Sequence, residues 1–301
     1  MLNQHFWEIK VSYVGSWLKG LFIRFRRLIK SIINLPYFAF LIRFQIADLL
    51  IFSFFYPLNR ILLGREKSGK ICQYLFDNYV KKIILPRVAV IPFSPKTRIA
   101  LENRADWSAF AELYEDDIYQ IKTLKEGMAV VDVGAHIGLY TIPVAGKVGN
   151  RGMVIAIEPE KRNYSRLLEN IKLNNLQNVI PVNLALTDHE GFEKLYLDSS
   201  PESHSLISKE NKISSIEVPV KTLDNLLEKL NLKKVDIIKI DAEGAEAPIL
   251  KGAEKTLKIN PNLKIIVASY HYPSEIKEVQ NFLENKGYKT KVFSPGIVIT
   301  S

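Results

Sequence analysis

Residues 130–141 read VVDVGAHIGLYT. An apolar run reaches Asp132, a loop carries Gly134 and Gly138, and the apolar spacing beyond them predicts a helix. A strand that delivers a glycine loop to a helix N-terminus is how α/β proteins bind nucleoside cofactors, at the carboxyl edge of a parallel sheet. Glycine lets the backbone approach a ligand closely, and the first helical turn offers unpaired N–H groups. The spacing is G-x-x-x-G and not G-x-G-x-x-G, which points away from a pyrophosphate cradle and toward S-adenosylmethionine. Asp132, Gly134, Ala135, His136 and Gly138 are the cofactor contacts this stretch predicts, although His136 reads equally well as a solvent-facing loop residue.

Outward from this loop, strands and helices alternate. Strands are predicted at Met128–Val133, Val154–Ile157, Val179–Leu184, Val235–Ile240 and Leu263–Ser269, and helices at Arg162–Leu173 and Ile276–Asn285. Lys289–Phe293 and Ile297–Thr300 are short strands joined by the turn signal Ser294-Pro295-Gly296. The alternation implies an α/β fold with a mostly parallel sheet of seven strands, and the closing hairpin implies an antiparallel last strand.

Ligands of such sheets sit beyond the carboxyl ends of the strands. Glu158 ends the second strand, 24 residues after Gly134, where a carboxylate accepts the two hydroxyls of a ribose. Ala185 and Leu186 follow the third strand and complete the predicted cofactor set. After the fourth strand, KIDAEGAE places Asp241, Glu243 and Glu246 within six residues. Carboxylates there could take a proton from an acceptor hydroxyl or hold a divalent cation; Glu246 could equally start the next helix, where Pro248 fits an early position. His271 follows the fifth strand, and histidine is the side chain best poised for proton transfer near neutrality. Asp241, Glu243 and His271 are the catalytic candidates; His204, Ser205 and Glu246 are the acceptor-site candidates, the first two on a polar stretch, 198–211, read as a loop over the site.

Charge divides the chain. Residues 1–98 carry 16 Lys/Arg against 4 Asp/Glu, a net +12, and residues 99–301 carry 25 against 28, a net −3. The first segment reads as a basic, hydrophobic helical extension and the second as the cofactor-binding domain. Residues 37–56 lie between Pro36 and Pro57 and are long enough to span a bilayer, but Arg43, Gln45 and Asp48 oppose insertion. Aromatic, aliphatic and basic residues interleave across 17–65, as in helices lying on an anionic membrane surface. Packing on the catalytic domain and a true span are the alternatives. Glu8 and Lys10 interrupt any secretory signal, so the chain reads as cytoplasmic and peripheral at the inner face of the membrane. Cys72 is the single cysteine, which excludes an intrachain disulfide and a Cys-based zinc site.

These residues together resemble the FkbM family of methyltransferases over about residues 104–301. VVDVGAHIGLYT is similar to that family's first motif and IDAEGAE to its fourth; Asn170, Asn174, the NLAL stretch with Gly191 after it, and His204-Ser205-Leu206 also fit. The resemblance implies a Rossmann-like class I methyltransferase fold and S-adenosylmethionine-dependent O-methyl transfer to a hydroxyl of a sugar, glycolipid or related natural product. The sequence departs from the family where Ser269-Tyr270 precede His271, a place where the family often carries Glu. Two rival readings follow from the residues alone. An NAD-dependent oxidoreductase lacks support because the third glycine is missing and no Tyr-x-x-x-Lys pair follows the fourth strand. A non-catalytic membrane-surface module would use only the basic extension. The expected partners are a glycan or lipid-linked acceptor and an anionic membrane surface; the net negative catalytic part disfavours nucleic acid.

Overall fold

The computed structural model describes residues 71, 88–91, 94–102, 106, 109–110, 113, 117–197, 205–206, 214–294 and 296–300. The stretch 17–65 and His204 lie outside them. Among the described residues, no helix is long and apolar enough to cross a membrane. The chain divides into two compact units, Met1–Pro95 with Leu101–Glu115, and Lys96–Ala100 with Asp116–Ser301. Strand β1, Val88–Ile91, belongs to the first, where Asp106 also accepts the Glu102 amide at 2.6 Å. Strand β2, Ser94–Ala100, runs into the second.

The second unit is built on β3 (Ala129–Val133), β4 (Met153–Ile157), β5 (Val179–Val182), β9 (Ile237–Ile240), β10 (Lys264–Ala268), β11 (Thr290–Phe293) and β12 (Ile297–Thr300). They form one sheet in the order β11-β12-β10-β9-β3-β4-β5. The five central strands are parallel, and β12 lies antiparallel between β10 and β11. This is the Rossmann-like class I methyltransferase sheet expected from the sequence. Valine and isoleucine runs suit strands covered on both faces, and Val131, Ile155, Ile238, Ile265 and Val267 are all buried in one core. The helices over it are α1 (Thr141–Val148), α2 (Lys161–Leu173), α3 (Leu223–Lys229), α4 (Glu246–Lys251), α5 (Glu254–Ile259) and α6 (Glu275–Asn285). Glu160 caps α2 by accepting the Arg162 and Asn163 amides, and Thr222 caps α3 by accepting that of Asn225.

A second, three-stranded sheet was not foreseen. It has the order β6-β8-β7, from Ala185–Leu186, Ser214–Lys221 and Gly191–Leu197. The predicted strand Val179–Leu184 accordingly ends at Val182, and the chain passes into the second sheet.

The direction of winding reverses at β3. From it the chain steps to β4 and β5 on one side, and β9 and β10 lie on the other. The crevice at such a reversal, beyond the carboxyl ends of the strands, is where ligands of doubly wound sheets bind. Here it is flanked by the loops after Val133 and Ile240.

Candidate functional site

The first flanking loop is held open by backbone conformation. Gly134, His136 and Gly138 all take positive φ, at 73°, 50° and 91°. A Cβ on Gly134 would stand 1.9 Å from the Asp241 carbonyl oxygen, so the loops after β3 and β9 touch backbone to backbone. The amides of Gly134 and Ala135 donate to Ile157 O at 3.1 and 2.9 Å, which ties the loop to the end of β4. Asn170, fully buried on α2, donates to Ile137 O at 2.8 Å and accepts the Ala100 amide at 2.7 Å. One turn later Asn174 grips both backbone groups of Arg98, at 2.8 Å from N and 2.6 Å from O. The two asparagines thus fasten β2, α2 and the glycine loop together.

Glu158 sits at the end of β4 with its carboxylate against this loop. It accepts the His136 amide at 2.8 Å and the Glu160 amide at 2.9 Å. Burial pushes its pKa up to about 7, in spite of those two donors. Ala135 is buried and His136 half-buried. Ala185 and Leu186, also expected at the cofactor, have side chains buried in apolar clusters and backbones that pair with Val220 and Lys221.

Asp132 also has a different place. It lies directly across from Lys239 in the β3–β9 register and is fully buried. Its Oδ1 stands 3.1 Å from Lys239 Nζ, and its Oδ2 accepts the Thr141 hydroxyl at 2.5 Å. Lys239 Nζ also donates to Gly134 O at 2.9 Å and Val133 O at 3.2 Å. The Asp132–Lys239 pair therefore braces the cofactor loop from beneath. Burial raises the Asp132 pKa, against the opposing charge of Lys239.

Asp241 takes up the other side of this network. Tyr119 OH donates to its Oδ2 at 2.8 Å, and Lys239 Nζ lies 4.0 Å from the same oxygen. Burial opposes its ionisation, but the Lys239 charge, His271 and the Tyr119 hydroxyl together hold its pKa down at about 2. Tyr119 stays protonated: burial and then the Asp241 charge raise its pKa well above the usual value. The lysine ammonium also lies 5.4 Å from the Tyr119 ring centre, within cation–π range.

After Asp241 the chain turns sharply. Glu243 and Gly244 have φ of 54° and 103°, and Ser205 Oγ donates to Glu243 O at 2.6 Å, fixing the turn. Ser205, expected to meet the acceptor, is 1% exposed, so it holds the acidic loop from behind. Glu246 is likewise fully buried as the first residue of α4, and accepts the Ala242 amide at 2.8 Å. It stands behind His271, away from the position expected of an acceptor contact.

His271 gathers the acids. Its Nδ1 is 3.1 Å from Glu275 and 3.4 Å from Glu246; its Nε2 is 3.6 Å from Glu243 and 3.7 Å from Asp241. Burial works against the charged ring, but Asp241, Glu243, Glu275 and the Glu246 charge push its pKa up to about 12. Glu246 is raised well above the carboxylate range, chiefly by burial, whereas Glu275 is lowered by His271 and Glu246 despite its own burial. Asp241, Glu243 and His271 are therefore brought together as expected. Tyr119, Lys239 and Glu275 join them without having been singled out. One of the three had a signal: a lysine between isoleucines in a strand covered on both faces needs a buried counter-charge; His271 lies in the turn before α6, which Glu275 begins, so no helical spacing links them.

A family model described as the methyltransferase FkbM domain matches residues 132–290. Methyltransferase 1 of Beauveria bassiana is 25% identical over 205 residues, covering 61% of this chain and 81% of that protein. The hexuronic acid methyltransferase AglP of Haloferax volcanii is 24% identical over 180 residues, covering 59% and 71%. Among solved structures, an FkbM methyltransferase of Methylobacillus flagellatus superposes with a TM-score of 0.45 at 15% identity; the match covers 66% of this chain and 54% of that one.

Proposed function

The chain belongs to the methyltransferase FkbM family, and from that premise we propose that it transfers a methyl group from S-adenosylmethionine to a hydroxyl of a sugar, glycolipid or related natural product. The observation that carries the reading is the backbone contact of Gly134 with Asp241, which sets a cofactor-type glycine loop against an ionised carboxylate in one crevice. The hexuronic acid specificity of the Haloferax relative supports a sugar acceptor. The +12 charge of residues 1–98 supports an acceptor presented at an anionic membrane surface.

The residues fit this donor. Glu158 offers an almost buried carboxylate beside the loop backbone, the group that two ribose hydroxyls require. The loop takes positive φ at Gly134, His136 and Gly138, directly after β3. When bound, the donor supplies a methyl carbon already activated by an adjacent sulfonium. Asp241 is ionised and accepts a hydrogen bond from the acceptor hydroxyl, aiming an oxygen lone pair at that carbon. Transfer to the oxygen that Asp241 orients would form the C–O bond as the C–S bond breaks, its electron pair staying on sulfur. The attacking oxygen becomes strongly acidic in the process, so even a carboxylate as weakly basic as Asp241 can take its proton. Tyr119 and Lys239 hold Asp241 in place throughout.

Calorimetric titration with S-adenosylhomocysteine tests the donor. Binding is expected, and NADH binding without it would overturn the reading. Transfer of labelled methyl from S-adenosylmethionine to a panel of neutral, acidic and lipid-linked glycans tests the acceptor; labelling of nitrogen instead of oxygen would refute the hydroxyl assignment.

Glu158 gives this binding a pH dependence. Its pKa is raised above the ordinary 4.5 to about 7, so the fold loses stability as the pH rises between those values. Ribose hydroxyls need the ionised form. Affinity for S-adenosylhomocysteine is therefore expected to be highest above pH 7 and to fall by up to about tenfold per unit below it. Glu158→Gln should bind more weakly with a flat profile from pH 6 to about pH 8. A sloped profile in that variant would assign the titration to another group.

A further inference from the structure

Asp241, Glu243 and His271 form a three-donor cluster, and the ring between them is held asymmetrically. The His271 side chain is 3% exposed. Its Nδ1 side is closed: Glu275 Oε2 lies 3.1 Å away and also accepts the His271 backbone amide at 2.8 Å, so neither the ring nor its mainchain can swing aside. Glu275 and Glu246 behind it are fully buried. Its Nε2 is buried and has no hydrogen-bond partner. It faces Glu243 Oε1 at 3.6 Å and Asp241 Oδ1 at 3.7 Å, whose side chains are 23% and 25% exposed and border the crevice.

Those gaps are too long for hydrogen bonds. They are close to the separation between two ligands of one metal ion, roughly 3–3.6 Å for bonds of 2.0–2.2 Å. The arrangement behind the ring is also that of a metal-ligating histidine, which donates its second ring N–H to a carboxylate and so presents the other nitrogen's lone pair outward.

We propose that Asp241 Oδ1, Glu243 Oε1 and His271 Nε2 bind a divalent transition-metal cation at the mouth of the crevice, with Glu275 orienting the ring from behind. One nitrogen and two carboxylate oxygens suit Mn²⁺, Fe²⁺, Co²⁺ or Zn²⁺ better than Ca²⁺ or Mg²⁺, which favour all-oxygen sets. The cation takes the place of the proton on Nε2, which leaves to solvent. The alternative trio, Glu246, His271 and Glu275, is closed to entry, because Glu246 is fully buried and its Oε1 already accepts the Ala242 amide. Coordination positions facing the crevice remain for acceptor hydroxyl oxygens, which the cation would polarise for attack; this role rests on the methyl-transfer reading, whereas the site itself does not.

The test is titration of the metal-stripped full chain with Mn²⁺, reading free Mn²⁺ by electron paramagnetic resonance. One equivalent is expected to bind, with an imidazole nitrogen coupling in the spin-echo spectrum. Glu275→Gln, which keeps all three ligands, should weaken binding by about 10–100-fold. His271→Gln should abolish the nitrogen coupling, and Glu243→Gln should weaken binding while keeping it. Each variant is first checked for its folded spectrum by circular dichroism; if His271→Gln does not fold, the coupling in the native chain and the Glu243→Gln affinity decide the matter. Absence of Mn²⁺ and Zn²⁺ binding at about 1 mM, the weak end of protein cation sites, would overturn the proposal, as would binding without nitrogen coupling. Neither donor nor acceptor is present in this titration. Metal binding together with failure to bind S-adenosylhomocysteine would leave the site standing and remove the methyl-transfer reading.

Discussion

Asp241→Asn is expected to lower the rate of methyl transfer by about 10²–10⁴-fold while leaving S-adenosylhomocysteine affinity nearly unchanged. The asparagine keeps the size of the side chain and can still accept from Tyr119, so the contact at 2.8 Å survives. What it loses is the negative charge that Lys239, His271 and Tyr119 stabilise, and with it the group that, in the proposed reaction, aims the acceptor and takes its proton. Glu158 and the glycine loop are untouched, so donor binding should persist. Single-turnover transfer from labelled S-adenosylmethionine measures the first effect and calorimetry the second. A variant that turns over within a factor of a few of the native chain would remove Asp241 from the chemistry.

Lys239→Met is expected to destabilise the fold by about 3–5 kcal/mol, the usual cost of stranding one partner of a buried ion pair. Asp132 would keep the Thr141 hydroxyl but lose its counter-charge at 3.1 Å, and the carbonyls of Val133 and Gly134 would lose a donor. The sign of the pH dependence follows from Asp132. Its pKa is raised by burial, so the stranded carboxylate picks up a proton as the pH falls and the deficit shrinks. Asp132→Asn in the same chain should recover part of the loss, because the remaining site is neutral. Urea unfolding monitored by circular dichroism at two pH values reads both effects. A loss below about 1 kcal/mol, the level of a surface pair, would show that the bridge is not buried in solution.

The central sheet was legible because its strands are covered on both faces and so appear as unbroken valine and isoleucine runs. Ala129–Val133 and Lys264–Ala268 fall inside their predicted bounds, and Ile297–Thr300 matches them fully. The second sheet was not legible. In β7 and β8, only Leu195, Val218 and Val220 are buried, too few apolar positions to stand out against a loop. Helices α4 and α5 are six residues each, too short to show a period, and they break at Gly252, where a Cβ would meet Thr187 O at 2.1 Å.

In the site, the glycine loop, Glu158 and the acids after β9 were readable because they follow strand ends directly. Tyr119 was not, since it reaches Asp241 from 122 residues away and no local pattern announces such a contact. Lys239 as the partner of Asp132 was not legible either: Asp132 is the fourth of five residues in its strand, still inside the sheet, and its register partner lies 107 residues away.

The contact of Gly134 with Asp241 has a consequence for how such an enzyme can change. The loops after β3 and β9 meet mainchain to mainchain at Gly134 and Asp241, in a gap that admits no side chain, while the Lys239 side chain bridges them alongside. The mainchain part of that joint does not depend on which side chain residue 241 carries. The glycine itself has no latitude: a single added methyl would pry the two loops apart. A library of substitutions at residue 134 should therefore be rejected almost entirely.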